Sequence, residues 1–157
     1  MATYALMKLG GKTEYDRVVR TLRHLFNTQG ESGLFYGMSD EEGNIFHDGC
    51  GRPDTQCWAL TRKSADVLYF LFKHFDLMED IPEAFAAGTR KLADRFVRIW
   101  EENGQIGQFV NVETGGIIVG GSCSAGIVSA GLTRAWKFFN DGKYLRAARK
   151  IADYHKK

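Results

Sequence analysis

Proline is scarce in this sequence: Pro53 and Pro82 are the only two in 157 residues. So little proline argues against a disordered or linker-rich chain. Cysteine is scarce too. Cys50, Cys57 and Cys123 are odd in number, widely spaced and without a Cys-x-x-Cys pair. That argues against a disulfide framework and for a reducing compartment. His47, Cys50 and Cys57 match no standard zinc spacing and lack an evident fourth ligand, so no metal is expected. An excess of one charge is also missing. A formal net charge of +2 gives no pull toward nucleic acid or an anionic membrane. No apolar run approaches the roughly 18 residues of a membrane-spanning helix. The N-terminal stretch lacks a basic n-region and a cleavage site, so no signal peptide is expected and the cytoplasm is the default location. There is no Gly-x-Ser-x-Gly elbow, and residues 120–126 lack the Gly-Lys-Ser/Thr ending of a phosphate loop. No cofactor is expected.

What is present is helical periodicity and glycine. Residues 13–29 place Tyr15, Val18, Val19, Leu22, Leu25 and Phe26 at spacings of three and four, with arginines on the other side. That is an amphipathic helix. Residues 54–78 hold the run from Val67 to Phe72, apolar on all sides and too long for one strand. They predict a helix of about 25 residues packed on most faces. Amphipathic helices follow at 82–103, where Pro82 suits a first turn, and at 143–157. Residues 124–140 form another helix rich in small and apolar side chains. Short turns follow the buried helices, whereas long connections rich in glycine follow the half-exposed ones. Residues 107–112 and 116–120 flank Glu113-Thr114-Gly115 as a β-hairpin, and 33–37 with 44–47 read likewise.

The pattern repeats. Gly10-Gly11-Lys12-Thr13-Glu14-Tyr15 matches Asp141-Gly142-Lys143-Tyr144-Leu145, and Leu92-Ala93-Asp94-Arg95-Phe96 matches Ile151-Ala152-Asp153-Tyr154. The unit is buried helix, short turn, outer helix, long loop. Gly121-Ser122-Cys123-Ser124-Ala125-Gly126, a small-residue start to an inner helix, is followed by the tight Asp141-Gly142 turn into Tyr144-Leu145 and Ala148. In these residues the chain resembles the α/α-toroid, the six-hairpin glycosidase-like family. The resemblance covers the whole chain and implies an all-α fold of toroid-type hairpins with small β-hairpins in the long loops. It amounts to about two and a half hairpins of an incomplete ring. Residues 1–157 are then a single α/α-hairpin domain, part of a larger (α/α)6 barrel. Self-association would be the other way to cover the inner helices, which at Val67 to Phe72 would otherwise leave a large apolar patch.

The resemblance also places a site in the long loops, at 36–63 and 105–124. Residues 47–58 there combine two carboxylates, a guanidinium, an imidazole, an amide and an indole. Cleaving a glycosidic bond needs one carboxylic acid to protonate the leaving oxygen and a second carboxylate as base or nucleophile. Asp54 and Asp48 are the candidates. His47, Arg52, Gln56, Trp58, Arg62 and Tyr36 are candidate substrate-binding residues, and an arginine would suit a uronic carboxylate. Plainer roles stand beside these. Asp54 can cap the helix, Asp48-Gly49 can form a turn, Trp58 can be core, and Arg62 can pair with Asp66 one helical turn on. Ser122 and Ser124 read as helix caps, and Glu113 as a solvated turn residue. The expected partner is a carbohydrate, with neither nucleic acid nor membrane. The expected activity is glycoside hydrolysis. A non-catalytic module binding glycan or protein is the alternative, as is a sugar epimerase or lyase with His47 or Tyr36 as base.

Overall fold

The computed structural model describes residues 2–39, 45–46, 57–121 and 124–154. The chain is mainly helical, with small β-hairpins in its long connections. Among the described residues there are six helices: α1 (Ala2–Leu9), α2 (Lys12–Asn27), α3 (Thr61–Phe75), α4 (Glu83–Asn103), α5 (Ala125–Phe139) and α6 (Gly142–Tyr154). None of them is long and apolar enough to cross a membrane.

They pair as three hairpins, α1 with α2, α3 with α4, and α5 with α6. Helix α3 packs against both α1 and α5, and α4 packs against both α2 and α6. The odd helices therefore form one row and the even helices a second row behind it. Side-chain size sets the close approaches. A Cβ on Gly131 would lie 2.9 Å from the Leu68 side chain, so only glycine lets α5 sit this near α3. The core runs through both rows and includes Leu68, Phe96, Ile99, Leu132 and Ile151, all fully buried. Burying each such side chain stabilises the fold by roughly 1.5–3 kcal/mol before entropy is counted.

The short turns are closed locally. Gly11 N–H donates to the Glu14 carboxylate at 3.1 Å at the start of α2. Phe85 N–H donates to the carbonyl of Pro82, which is the N-cap of α4. Lys143 N–H donates to Asp141 Oδ1 at 3.0 Å at the start of α6. Helix α4 ends on Gly104 in the left-handed region, φ 63°, where glycine carries no Cβ penalty.

The long connections follow other rules. Strands β1 (Met38–Ser39) and β2 (Ile45–Phe46) pair antiparallel; β2 lies within the predicted 44–47, whereas β1 is displaced from the predicted 33–37. Strands β4 (Phe109–Asn111) and β5 (Ile117–Val119) form the predicted second hairpin. The unexpected element is β3 (Trp58–Leu60), which pairs antiparallel with β4, Trp58 opposite Asn111 and Leu60 opposite Phe109. It overturns the predicted 25-residue helix over 54–78. Cys57 turns through φ 65°, residues 58–60 are extended, and α3 begins only at Thr61. Thr61 N–H donates to the Gln108 carbonyl at 3.0 Å. One N–H of the first turn of α3 is thus satisfied by the neighbouring connection, and the helix N-cap is Leu60 rather than Asp54.

Helix α3 is also not apolar all round. Leu68, Leu71, Phe72 and Phe75 are buried, whereas Arg62, Asp66, Tyr69, Lys73 and Asp76 recur at four and three along its other side. Tyr69, Lys73 and Asp66 are half-buried, and Arg62 and Asp76 exposed. The large apolar patch expected at Val67 to Phe72 is therefore replaced by a polar stripe, because these residues divide between two faces of the helix.

Candidate functional site

The two long connections meet at one end of the helix array. Ser32 Oγ–H donates to the Val112 carbonyl at 2.6 Å, and Val112 N–H donates to the Cys57 carbonyl at 2.8 Å. Leu34, Phe35, Ile106, Val110 and Val112 are essentially inaccessible. The connections are therefore packed elements that hold the residues between them in place.

Glu113 sits at the tip of the turn between β4 and β5. Asn111 Oδ1 accepts from Glu113 N–H and from Thr114 N–H, both at 2.9 Å, which fixes the turn. The Tyr36 hydroxyl donates to Glu113 Oε1 at 3.3 Å from the other connection. The Cys57 thiol is a second hydrogen-bond partner of the same carboxylate. Burial, then the charge of Glu113, pushes the Tyr36 phenol up to about 12. The Cys57 thiol is raised for the same reasons, burial first. Both stay protonated near neutral pH and serve as hydrogen-bond donors to the carboxylate. Tyr36 and Glu113 form one wall of a cleft of about 380 Å3, with Asn27, Thr28, Gln29 and Glu31 around it. The cleft carries two carboxylates, a phenol and two side-chain amides, groups that bind hydroxyl-rich ligands through directed hydrogen bonds.

Of the residues named from sequence, Asp48, Asp54, His47, Arg52 and Gln56 lie outside the described residues. Tyr36 is on the wall of the cleft. Trp58 is half-buried, its ring 6.0 Å from that of Phe109. It stands on β3, whereas Arg62 stands on α3, so the common helical face expected for the two does not exist. Arg62 Nε donates to Asp66 Oδ1 at 2.7 Å, the expected pair. It is an exposed pair, with the Arg62 side chain 58 % accessible, and such pairs add little to stability. Ser124 is at the N-cap of α5 but makes no side-chain capping bond; Ser122 lies outside the described residues. Glu113 and Cys57 were missed as site residues. The hairpin signal gave the turn but not the partners, since Tyr36 lies 77 residues away in sequence.

Compared with known proteins, the chain matches no family model, and no curated protein or solved structure shows significant similarity to it.

Proposed function

We propose that the protein is a carbohydrate-active enzyme, resembling the six-hairpin glycosidases, that cleaves a glycosidic bond by carboxylate acid–base catalysis. One observation carries this reading. Successive helix hairpins stand in two rows, and their long connections converge at one end in a shared sheet, beside a cleft walled by Tyr36 and Glu113. Asp54 and Asp48 are assigned the acid and base or nucleophile roles. His47, Arg52, Gln56, Trp58 and Arg62 are assigned to substrate, and Tyr36 donates a hydrogen bond. Fold alone fixes no chemistry, so the residues carry the assignment.

The epimerase or lyase alternative with Tyr36 as base is weakened by the phenol. A group pushed up to about 12 is almost wholly protonated at neutral pH and a poor proton acceptor. A non-catalytic glycan- or protein-binding module is favoured by one fact: Tyr36, Trp58 and Arg62 all have internal partners. Incubation with neutral and acidic oligosaccharides, followed by assay of newly released reducing ends, separates the two. Product release supports the enzyme. Saturable binding with no product at any pH between 4 and 9 supports the module.

A further inference from the structure

The exposed side of the odd row carries a second arrangement, at the end opposite the long connections. Helix α3 runs about 22 Å from Thr61 at the loop end to its last residues at the turn end. Near the far end lies an open groove of about 550 Å3 between α3 and α5, lined by Phe72, Asp76, Thr133, Arg134, Lys137 and Phe138. That volume suits a small ligand.

Its charges are uneven. Asp76 Oδ2 is held by Arg134 Nη1 at 3.0 Å, and farther up α3 Asp66 is held by Arg62. Each carboxylate is thus matched to an arginine. Lys73 and Lys137 have no carboxylate within ion-pair distance among the described residues. Lys73 Nζ lies 5.4 Å from the Tyr4 ring centre and 5.5 Å from that of Tyr69, and Arg134 Cζ lies 5.3 Å from the Tyr69 ring. A ladder of alternating rings and cations therefore crosses α1, α3 and α5. Cation–π contacts hold these charges in place without neutralising them. Phe138 adds a ring 40 % exposed at the groove. Within the groove itself Arg134 is balanced by Asp76, and Lys137 is the cation left without a carboxylate among the described residues, beside the exposed ring of Phe138.

We propose that this groove is a second sugar-binding site, selective for a carboxylate-bearing sugar ring, in which Lys137 receives the carboxylate beside the Arg134–Asp76 pair and Phe138 packs against the ring. The uncompensated Lys137 selects the anion, and Arg134 balances Asp76 so that this groove carboxylate does not cancel it. The fixed rings and the groove's size favour a compact ring over an acidic peptide. That the ligand is a sugar rests on the glycosidase reading; the anion selectivity rests on the charges alone.

The test is calorimetric titration with tetragalacturonate, a neutral tetrasaccharide, inorganic phosphate and a tetraglutamate peptide. Tetragalacturonate is expected to bind, the neutral sugar not. Lys137→Gln and Arg134→Gln should each weaken binding roughly fivefold, with circular dichroism confirming the fold. Equal binding of both sugars, or undiminished binding by both variants, overturns the proposal, as does tighter binding of tetraglutamate or phosphate. Cleavage assays on the same proteins separate the two readings. Cleavage of neutral glycan without tetragalacturonate binding overturns the groove alone. Lys137-dependent tetragalacturonate binding without any cleavage overturns the glycosidase reading alone.

Discussion

The two ends of the helix array are built on different principles. At one end the hairpins close through short turns whose hydrogen bonds are local: Gly11 to Glu14, Phe85 to Pro82, Lys143 to Asp141. At the other, the bonds that shape the connections span long stretches of sequence: Ser32 to Val112, Thr61 to Gln108, Val112 to Cys57. The first end only reverses the chain. The second buries its apolar side chains in the common core and holds Tyr36 and Glu113 against each other. Directed chemistry needs side chains fixed by more than one element, and only the loop end supplies that around the cleft.

The sharpest way to break this contrast is to empty the core of the loop end. Phe35 is 1 % exposed and its ring meets that of Phe26 edge-on at 5.9 Å. Phe35→Ala is expected to cost about 3–5 kcal/mol in urea unfolding. A loss below about 1 kcal/mol would show that the connections merely drape over the helices. Next in size is Ser32→Ala. It removes the buried hydroxyl that joins the two connections and leaves the Val112 carbonyl short of a donor. About 1–3 kcal/mol is expected, together with broadened amide signals from both β3 and β4. An effect confined to one connection would contradict their coupling.

One of the long-range ties at the turn end titrates. His74 is buried at the end of α3. Its Nδ1 lies 2.7 Å from the Phe70 carbonyl and its Nε2 3.1 Å from the Thr3 hydroxyl on α1. A carbonyl only accepts, so Nδ1 carries the proton and Nε2 accepts from Thr3. Burial lowers the pKa of His74 from its ordinary 6.5. The unfolded chain therefore takes up a proton first as pH falls. The stability His74 contributes is complete above about pH 6.5 and declines below it. His74→Gln should flatten that part of the curve, read as melting temperature between pH 5 and 8; an unchanged slope would show that His74 is not the group titrating. The smallest effect is at a local cap. Glu14→Ala should cost roughly 0.5 kcal/mol, and a cost rivalling Ser32→Ala would erase the contrast between the ends.

The same contrast explains what was legible in the sequence. Helices α2, α4, α5 and α6 lie close to their predicted spans, because spacings of three and four are written locally. The Arg62–Asp66 pair was legible for the same reason. The helix expected over 54–78 was not, because Trp58 to Leu60 are extended by pairing with Phe109 to Asn111. Trp58, Arg62 and Ala65 keep helical spacing, and nothing nearby signals that the first of them belongs to a strand. The turn around Glu113 was readable from Gly115, yet its role was not, since Tyr36 and Cys57 reach it from the other connection. The polar stripe of α3 was hidden by the run from Val67 to Phe72, whose side chains separate only once the helix is wound. The resemblance placed the site in the long connections, and the residues from His47 to Gln56 that carried its two carboxylates lie outside the described residues.

The glycosidase reading is tested most directly by turnover of an oligosaccharide by the wild-type protein and by Asp54→Asn, with the melting temperature of each recorded beside it. The account expects the substitution to abolish turnover while the melting temperature stays within a few degrees. Retained turnover in Asp54→Asn, with or without a large fall in melting temperature, would contradict it.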